Sequence, residues 1–114
     1  MERLVEFVVR SPISGCGWGN GYVAIPPKHP LHGRKVGDSF IYSLEVHGGI
    51  TWAHKHLDSL YSKEFLVVNS EIPPGWWILG FDTGHLGDTS ETWPKERVIQ
   101  ETRNLCKQLE KWME

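Results

Sequence analysis

Apolar residues fall in short β-branched or aromatic runs through the first eighty positions and then change to a helical spacing near the C-terminus. Leu4-Val5-Glu6-Phe7-Val8-Val9, bounded by Arg10-Ser11-Pro12, predicts a strand. Tyr22-Val23-Ala24-Ile25 predicts a second, stopped at Pro26-Pro27 because proline fixes φ and removes a ladder donor. Phe40, Tyr42, Leu44 and Val46 alternate with Ile41, Ser43 and Glu45, the period of two expected of a half-buried strand. His47-Gly48-Gly49 would turn that strand, and Ile50-Thr51-Trp52-Ala53 would run back beside it as a hairpin. The polar stretch from His54 to Lys63 has Leu57, Leu60 and Tyr61 at helical spacing, which suits a short helix or a loop. Phe65-Leu66-Val67-Val68 resumes a strand until Ile72-Pro73-Pro74-Gly75 breaks it. Trp76-Trp77-Ile78-Leu79-Gly80-Phe81 is apolar without interruption and predicts a central strand buried on both faces, which delivers Asp82 to one edge of the sheet. Trp76 and Trp77 would point to opposite faces, one under a helix and the other outward.

Val98, Thr102, Leu105, Leu109 and Trp112 recur at intervals of four and three, so a helix is expected from about Pro94 to about Met113, with the proline in its first turn. Its apolar stripe must lie on the sheet or on a second copy of itself, and the sheet is the simpler partner. The expected fold class is α+β: a largely antiparallel sheet of five or six strands covered by one long C-terminal helix, in a single domain over residues 1–114.

With 39% apolar and 23% charged residues, a chain of 114 residues can bury about two-thirds of its surface, which excludes disordered and fibrous classes. No apolar stretch approaches the ~18 residues of a membrane span, and Met1-Glu2-Arg3-Leu4 lacks the apolar core of a secretory signal, so a cytoplasmic protein is expected. Cys16 and Cys106 lie far apart without CxxC spacing, as two thiols of a reducing compartment would. The net charge of −2 argues against general nucleic-acid binding. The distribution is more informative than the sum. No acid occurs between Glu6 and Asp38, whereas Arg10, Lys28, Arg34 and Lys35 do, beside His29 and His32. That segment is either a solvated loop or a patch for a small anion.

The densest candidate chemistry is Asp82-Thr83-Gly84-His85-Leu86-Gly87-Asp88, in which two carboxylates bracket an imidazole directly after an apolar strand. Together with His47 these side chains could hold a divalent metal that activates water, could bind a ligand hydroxyl or ribose by hydrogen bonds, or could merely cap a turn. His54-Lys55-His56-Leu57-Asp58 resembles the HxHxDH motif of metallo-β-lactamase-like hydrolases incompletely: Ser59 stands where the last histidine would be, and a solvated polar segment is the better reading. Neither GxSxG nor the phosphate loop GxxxxGK followed by Ser or Thr is present. The glycines alternating from Gly15 to Gly21 form a loop that either cradles an anion or is simply flexible. Six tryptophans exceed the needs of a core this small, so Trp18, Trp52 or Trp77 could stack on a planar base instead of packing.

Gly21-Tyr22-Val23-Ala24-Ile25-Pro26, His29-Pro30-Leu31-His32-Gly33, Val46-His47-Gly48-Gly49-Ile50-Thr51 and the stretch from Trp76 to Asp88 resemble the motifs of a family of small phage and gut-bacterial proteins. The resemblance covers nearly the whole chain. It places His47, Gly48, Gly49, Thr51, Asp82, His85 and Asp88 on polar motif positions, with Gly84 where relatives often carry alanine. It implies a viral or prophage setting and supplies no reaction. Phage proteins of this size often antagonise bacterial immunity, some by sequestering or cleaving nucleotide second messengers.

The leading expectation is therefore a protein of the host cytoplasm that sequesters a small nucleotide-like ligand, such as a cyclic nucleotide signal, with a pocket that a homodimer or higher homo-oligomer would complete. Arg34 and Lys35 would neutralise phosphate, Trp18, Trp52 or Trp77 would stack on the base, and Asp82, His85 and Asp88 with His47, Gly48, Gly49 and Thr51 would hold the polar edges. The alternative is a metal-assisted phosphodiester hydrolase in which His47, Asp82 and His85 are catalytic and, with Asp88, hold the divalent ion. A third class is an inhibitor that docks on a host protein.

Overall fold

The computed structural model describes residues 3–56 and 72–113. Four strands, β1 (Val5–Arg10), β2 (Gly19–Ile25), β3 (Trp52–Lys55) and β4 (Trp77–Phe81), form one antiparallel sheet in the order β1-β2-β4-β3. A short helix, α1 (Ser39–Tyr42), lies between β2 and β3, and α2 (Lys95–Lys111) closes the chain. The class is α+β, with four strands among the described residues. The segment Phe65 to Val68 expected as a further strand lies outside them; of the stretch from His54 to Lys63 expected as a helix or loop, His54 and Lys55 instead belong to strand β3, and the part from Leu57 onward lies outside the described residues.

The uninterrupted apolar run became the strand it predicts. Every residue of β4 is buried, with β2 on one flank and β3 on the other. Alternation along these strands sorts side chains between two faces. Val23, Ile25, Leu79, Phe81 and Ala53 join Val98, Leu105 and Leu109 of α2 in the larger core, whereas Tyr22, Ala24 and Ile78 gather Ile72 and Trp76 on the opposite face. Trp76 and Trp77 do divide between the faces, but both are buried, which corrects the expectation that one points outward.

The helix turns Val98, Thr102, Leu105, Cys106 and Leu109 inward and packs on β1 and β2. Close approach needs Gly21, where a Cβ would collide with the Thr102 hydroxyl and the Phe81 ring. Gly19 and Gly21 thus belong to β2, which corrects the reading of Gly15 to Gly21 as one loop.

The alternating segment Phe40 to Val46 is not a strand. Asp38 accepts a hydrogen bond from Phe40 N–H at 2.8 Å and caps α1, so the chain coils at the point where the pattern predicts extension. Ile41 and Leu44, three apart, are the buried pair, while Phe40 and Tyr42 face solvent. The expected hairpin fails for the same reason: Thr51 N–H bonds to the carbonyl of Gly80, and β3 pairs with β4.

Candidate functional site

Beyond Phe81 the chain enters a tight turn from Asp82 to Asp88. Buried Thr83 anchors it, donating from its hydroxyl to the Gly19 carbonyl at 2.6 Å and accepting at its own carbonyl from Gly17 N–H at 2.8 Å. Asp88 N–H closes the turn on the His85 carbonyl at 2.9 Å, and the Asp88 carboxylate folds back to accept from His85 N–H at 3.0 Å.

The second half of the site is the HGG turn. Gly48 and Gly49 follow one another at φ +70° and +78°, a left-handed pair unfavourable for residues with a side chain, and a Cβ on Gly48 would strike the His85 imidazole. A polar stripe on α2 holds the approach to this turn. Glu101 accepts from His47 N–H at 2.9 Å, Gln108 accepts from Glu45 N–H at 2.9 Å, and the amides of Asn104 and Gln108 donate to the Glu45 carbonyl.

The two turns meet at one carboxylate. His47 Nε2 lies 2.9 Å from Asp88 Oδ2 and 3.0 Å from Oδ1, and His85 Nδ1 lies 3.1 Å from the same Oδ2. Asp82 Oδ1 stands 3.4 Å from the other ring nitrogen of His85. The two imidazoles meet edge to face at 5.1 Å, and His47 packs on the Trp93 ring at 4.1 Å, which the Arg97 guanidinium covers at the same distance. The Asp88 side chain is only 6% exposed, against 26% for His47 and 37% for His85. Burial alone would raise the pKa of Asp88, but the bonds from the His47 ring, the His85 N–H and the His85 ring outweigh it and hold the carboxyl below its ordinary value. A buried anion thus orients two half-open imidazoles. Such a centre can present N–H donors to an anion, move a proton, or hold a cation.

An open groove of about 440 Å³ adjoins the HGG turn where the segment around Val36, Gly37, Ile41 and Tyr42 meets Gly48 and Gly49. The other candidate residues lie elsewhere or are already engaged. The Arg34 guanidinium bonds to Asp38 at 3.0 Å and covers the Phe40 ring, and Lys35 is exposed. Trp77 is buried and donates its indole N–H to the Arg34 carbonyl at 2.9 Å, so it is no stacking platform. Trp52, half-buried, packs with Tyr22 and His54 on the sheet face away from α2. Trp18 is half-buried beneath the Lys95 ammonium, and exposed Thr51 serves the sheet through its backbone.

Of the HKHLD stretch, His54 and Lys55 are exposed on β3 and His56 is buried, while Leu57 and Asp58 lie outside the described residues. Cys16 and Cys106 are free thiols, and burial pushes Cys106 up to about 12. No helix among the described residues is long and apolar enough to cross a membrane. Sequence reasoning missed Trp93 and Glu101. The spacing of Glu101, Asn104 and Gln108 along one edge of the helix is the signal that could have revealed the second.

No protein-family model, curated protein or solved structure matches the chain. The functional reading therefore rests on the geometry.

Proposed function

We propose that the protein binds a small anionic, nucleotide-like ligand at the His47, Asp88 and His85 centre and the adjoining groove, and retains it unconverted. One observation carries this reading: a buried carboxylate shared by two partly exposed imidazoles is joined through Gly48, which packs on the His85 ring, to an open groove whose volume, about 440 Å³, lies in the range of small-molecule sites. Gly37 has open space where a side chain would stand, so a phosphate oxygen could come close to the backbone there, whereas the Gly49 N–H is already given to the Val46 carbonyl at 2.9 Å. The exposed ring of Tyr42 offers a flat apolar surface, and Lys35 is the neighbouring cation in sequence. The resemblance to phage proteins adds only a viral or prophage setting, in which a nucleotide immune signal of the host would be the ligand to capture.

Hydrolysis of a phosphodiester at the same centre is the second reading, favoured by the fixing of His47 between Asp88 and Trp93, which is the restraint a general acid or base needs. Incubation with a panel of linear and cyclic nucleotides, with and without divalent metal, followed by mass spectrometry before and after heat denaturation, separates the two. Intact ligand released only by heating is the expected result. New product masses that His47→Gln abolishes would make the protein a hydrolase. Neither retention nor conversion would overturn both readings and turn the search to a host protein as partner.

A further inference from the structure

We infer that His47 Nε2, His85 Nδ1 and a carboxylate oxygen of Asp88 form a three-ligand site for a divalent transition-metal ion of the zinc class, with Asp82 orienting His85 from behind. The inference goes beyond the ligand reading and stands without it.

Three observations carry it. The first is spacing. The candidate ligand atoms all lie within 4.8 Å of one another, with the two nitrogens 2.9 and 3.1 Å from Asp88 Oδ2. Metal bonds of about 2.0–2.1 Å in a tetrahedron set ligand atoms roughly 3.3 Å apart, close to the two nitrogen–oxygen separations found here.

The second is donor chemistry. Two imidazole nitrogens and one carboxylate oxygen suit zinc, nickel or copper, whereas calcium and magnesium require sets made mostly of oxygen.

The third is the surround. A histidine that binds metal through one nitrogen usually gives the other to a carboxylate or carbonyl, and His85 has Asp82 Oδ1 at 3.4 Å from its Nε2 while Nδ1 faces Asp88. Asp82 is thus a positioning residue, not the fourth ligand that the sequence suggested. Trp93 closes the back of His47, and the left-handed glycine at 48 brings its turn against the His85 ring. The half-exposed imidazoles leave a side open to solvent, as in sites that keep an exchangeable position.

The test uses the full chain, stripped with a chelator and free of nucleotide. Titration with Co²⁺ should produce the visible absorption of a low-symmetry nitrogen and oxygen site, saturable and displaced by Zn²⁺. His47→Gln and His85→Gln should each abolish that spectrum, and Asp82→Asn should weaken Zn²⁺ binding by roughly 10–100-fold. His54→Gln, at an exposed histidine on β3, should leave binding unchanged. Circular dichroism of each variant shows that it is folded. Absence of a saturable site in the wild-type chain, or a His85→Gln protein that binds as tightly as wild type, overturns the inference. Metal uptake without nucleotide retention would remove the ligand reading and keep this one; retention by a chain that takes up no metal would do the reverse.

Discussion

Histidine is used in two opposite ways in this molecule. His29 is buried, and both its nitrogens are committed to backbone: Nε2 donates to the Leu109 carbonyl at 2.8 Å, and Nδ1 accepts from Leu31 N–H at 3.0 Å. It ties the irregular segment after β2 to the last turn of α2 and is held neutral, in a single tautomer, by the partners it serves. His47 and His85 instead share a carboxylate and keep part of each ring in solvent. The first arrangement has no capacity left for a ligand, whereas the second spends its ring nitrogens on carboxylates of a partly exposed cluster, with a fixed orientation and an adjoining groove. Accessible capacity, more than the presence of an imidazole, distinguishes a candidate site from a structural clamp.

The comparison breaks most severely where the clamp joins the core. Leu109 is fully buried, and Leu109→Ala should cost about 2–5 kcal/mol in urea unfolding while leaving the geometry at Asp88 intact. A folded remnant that still binds Co²⁺ would confirm that the two regions are separable. His29→Ala comes next. It leaves the buried Leu109 carbonyl and Leu31 N–H without their partner, at about 2–3 kcal/mol, again with no effect on metal or ligand. A loss below about 0.5 kcal/mol would mean that water replaces the imidazole at no cost and that the clamp is dispensable.

Acid should weaken the clamp before it reaches Asp88. Burial pushes the His29 pKa below the ordinary imidazole value; the bond to the Leu109 carbonyl draws it partly back, and nearby His32 lowers it further. The unfolded chain takes up a proton near pH 6.5 while the folded chain resists one. The contribution of His29 is therefore complete above about pH 6.5 and is lost as pH falls below that, by up to about 1.4 kcal/mol per unit. Asp88 has the opposite chemistry with the same sign: its depressed pKa gives stability that is present above the ordinary carboxylate value of about 4 and lost only as pH falls through the lower folded value. Urea midpoints measured between about pH 7.5 and 5.5 should fall for wild type and stay flatter for His29→Gln. Parallel curves would assign the acid sensitivity to another group.

The parts of the fold legible in the sequence are those set by patterning over several residues. The continuous apolar run of β4 and the spacing of Val98, Thr102, Leu105 and Leu109 each specify a burial pattern, and the structure has both. The segment from Phe40 to Val46 was misleading because its alternation is also compatible with burying only Ile41 and Leu44, and one carboxylate, Asp38, decides for a helical turn by capping it. At the site, Asp82, His85 and Asp88 are close in sequence and could be read as one group. Trp77 could not be excluded from it, because the acceptor of its indole N–H, the Arg34 carbonyl, is supplied by the tertiary fold. Nor does the sequence show that His29 is a buried clamp while His47 stays partly open. Both precede turns in polar surroundings, and only packing shows that one ring is enclosed.

The smallest stability effect and the sharpest test belong to His47→Gln. The ring is partly exposed, and Asp88 retains the His85 N–H and the His85 imidazole when His47 is lost, so the carboxylate is not left unpaired. One charge-assisted bond and the stack on Trp93 disappear, while glutamine can still offer an amide N–H; the expected cost is about 1 kcal/mol or less. Ligand retention and Co²⁺ absorption should nevertheless be lost, because the amide is a poor metal ligand and does not reproduce the shape and fixed orientation of the imidazole held between Asp88 and Trp93. His29→Ala should show the inverse pattern, with stability reduced and binding retained. A His47→Gln protein that loses as much stability as His29→Ala and still binds would place both histidines in the same structural class and remove the distinction on which the candidate site rests.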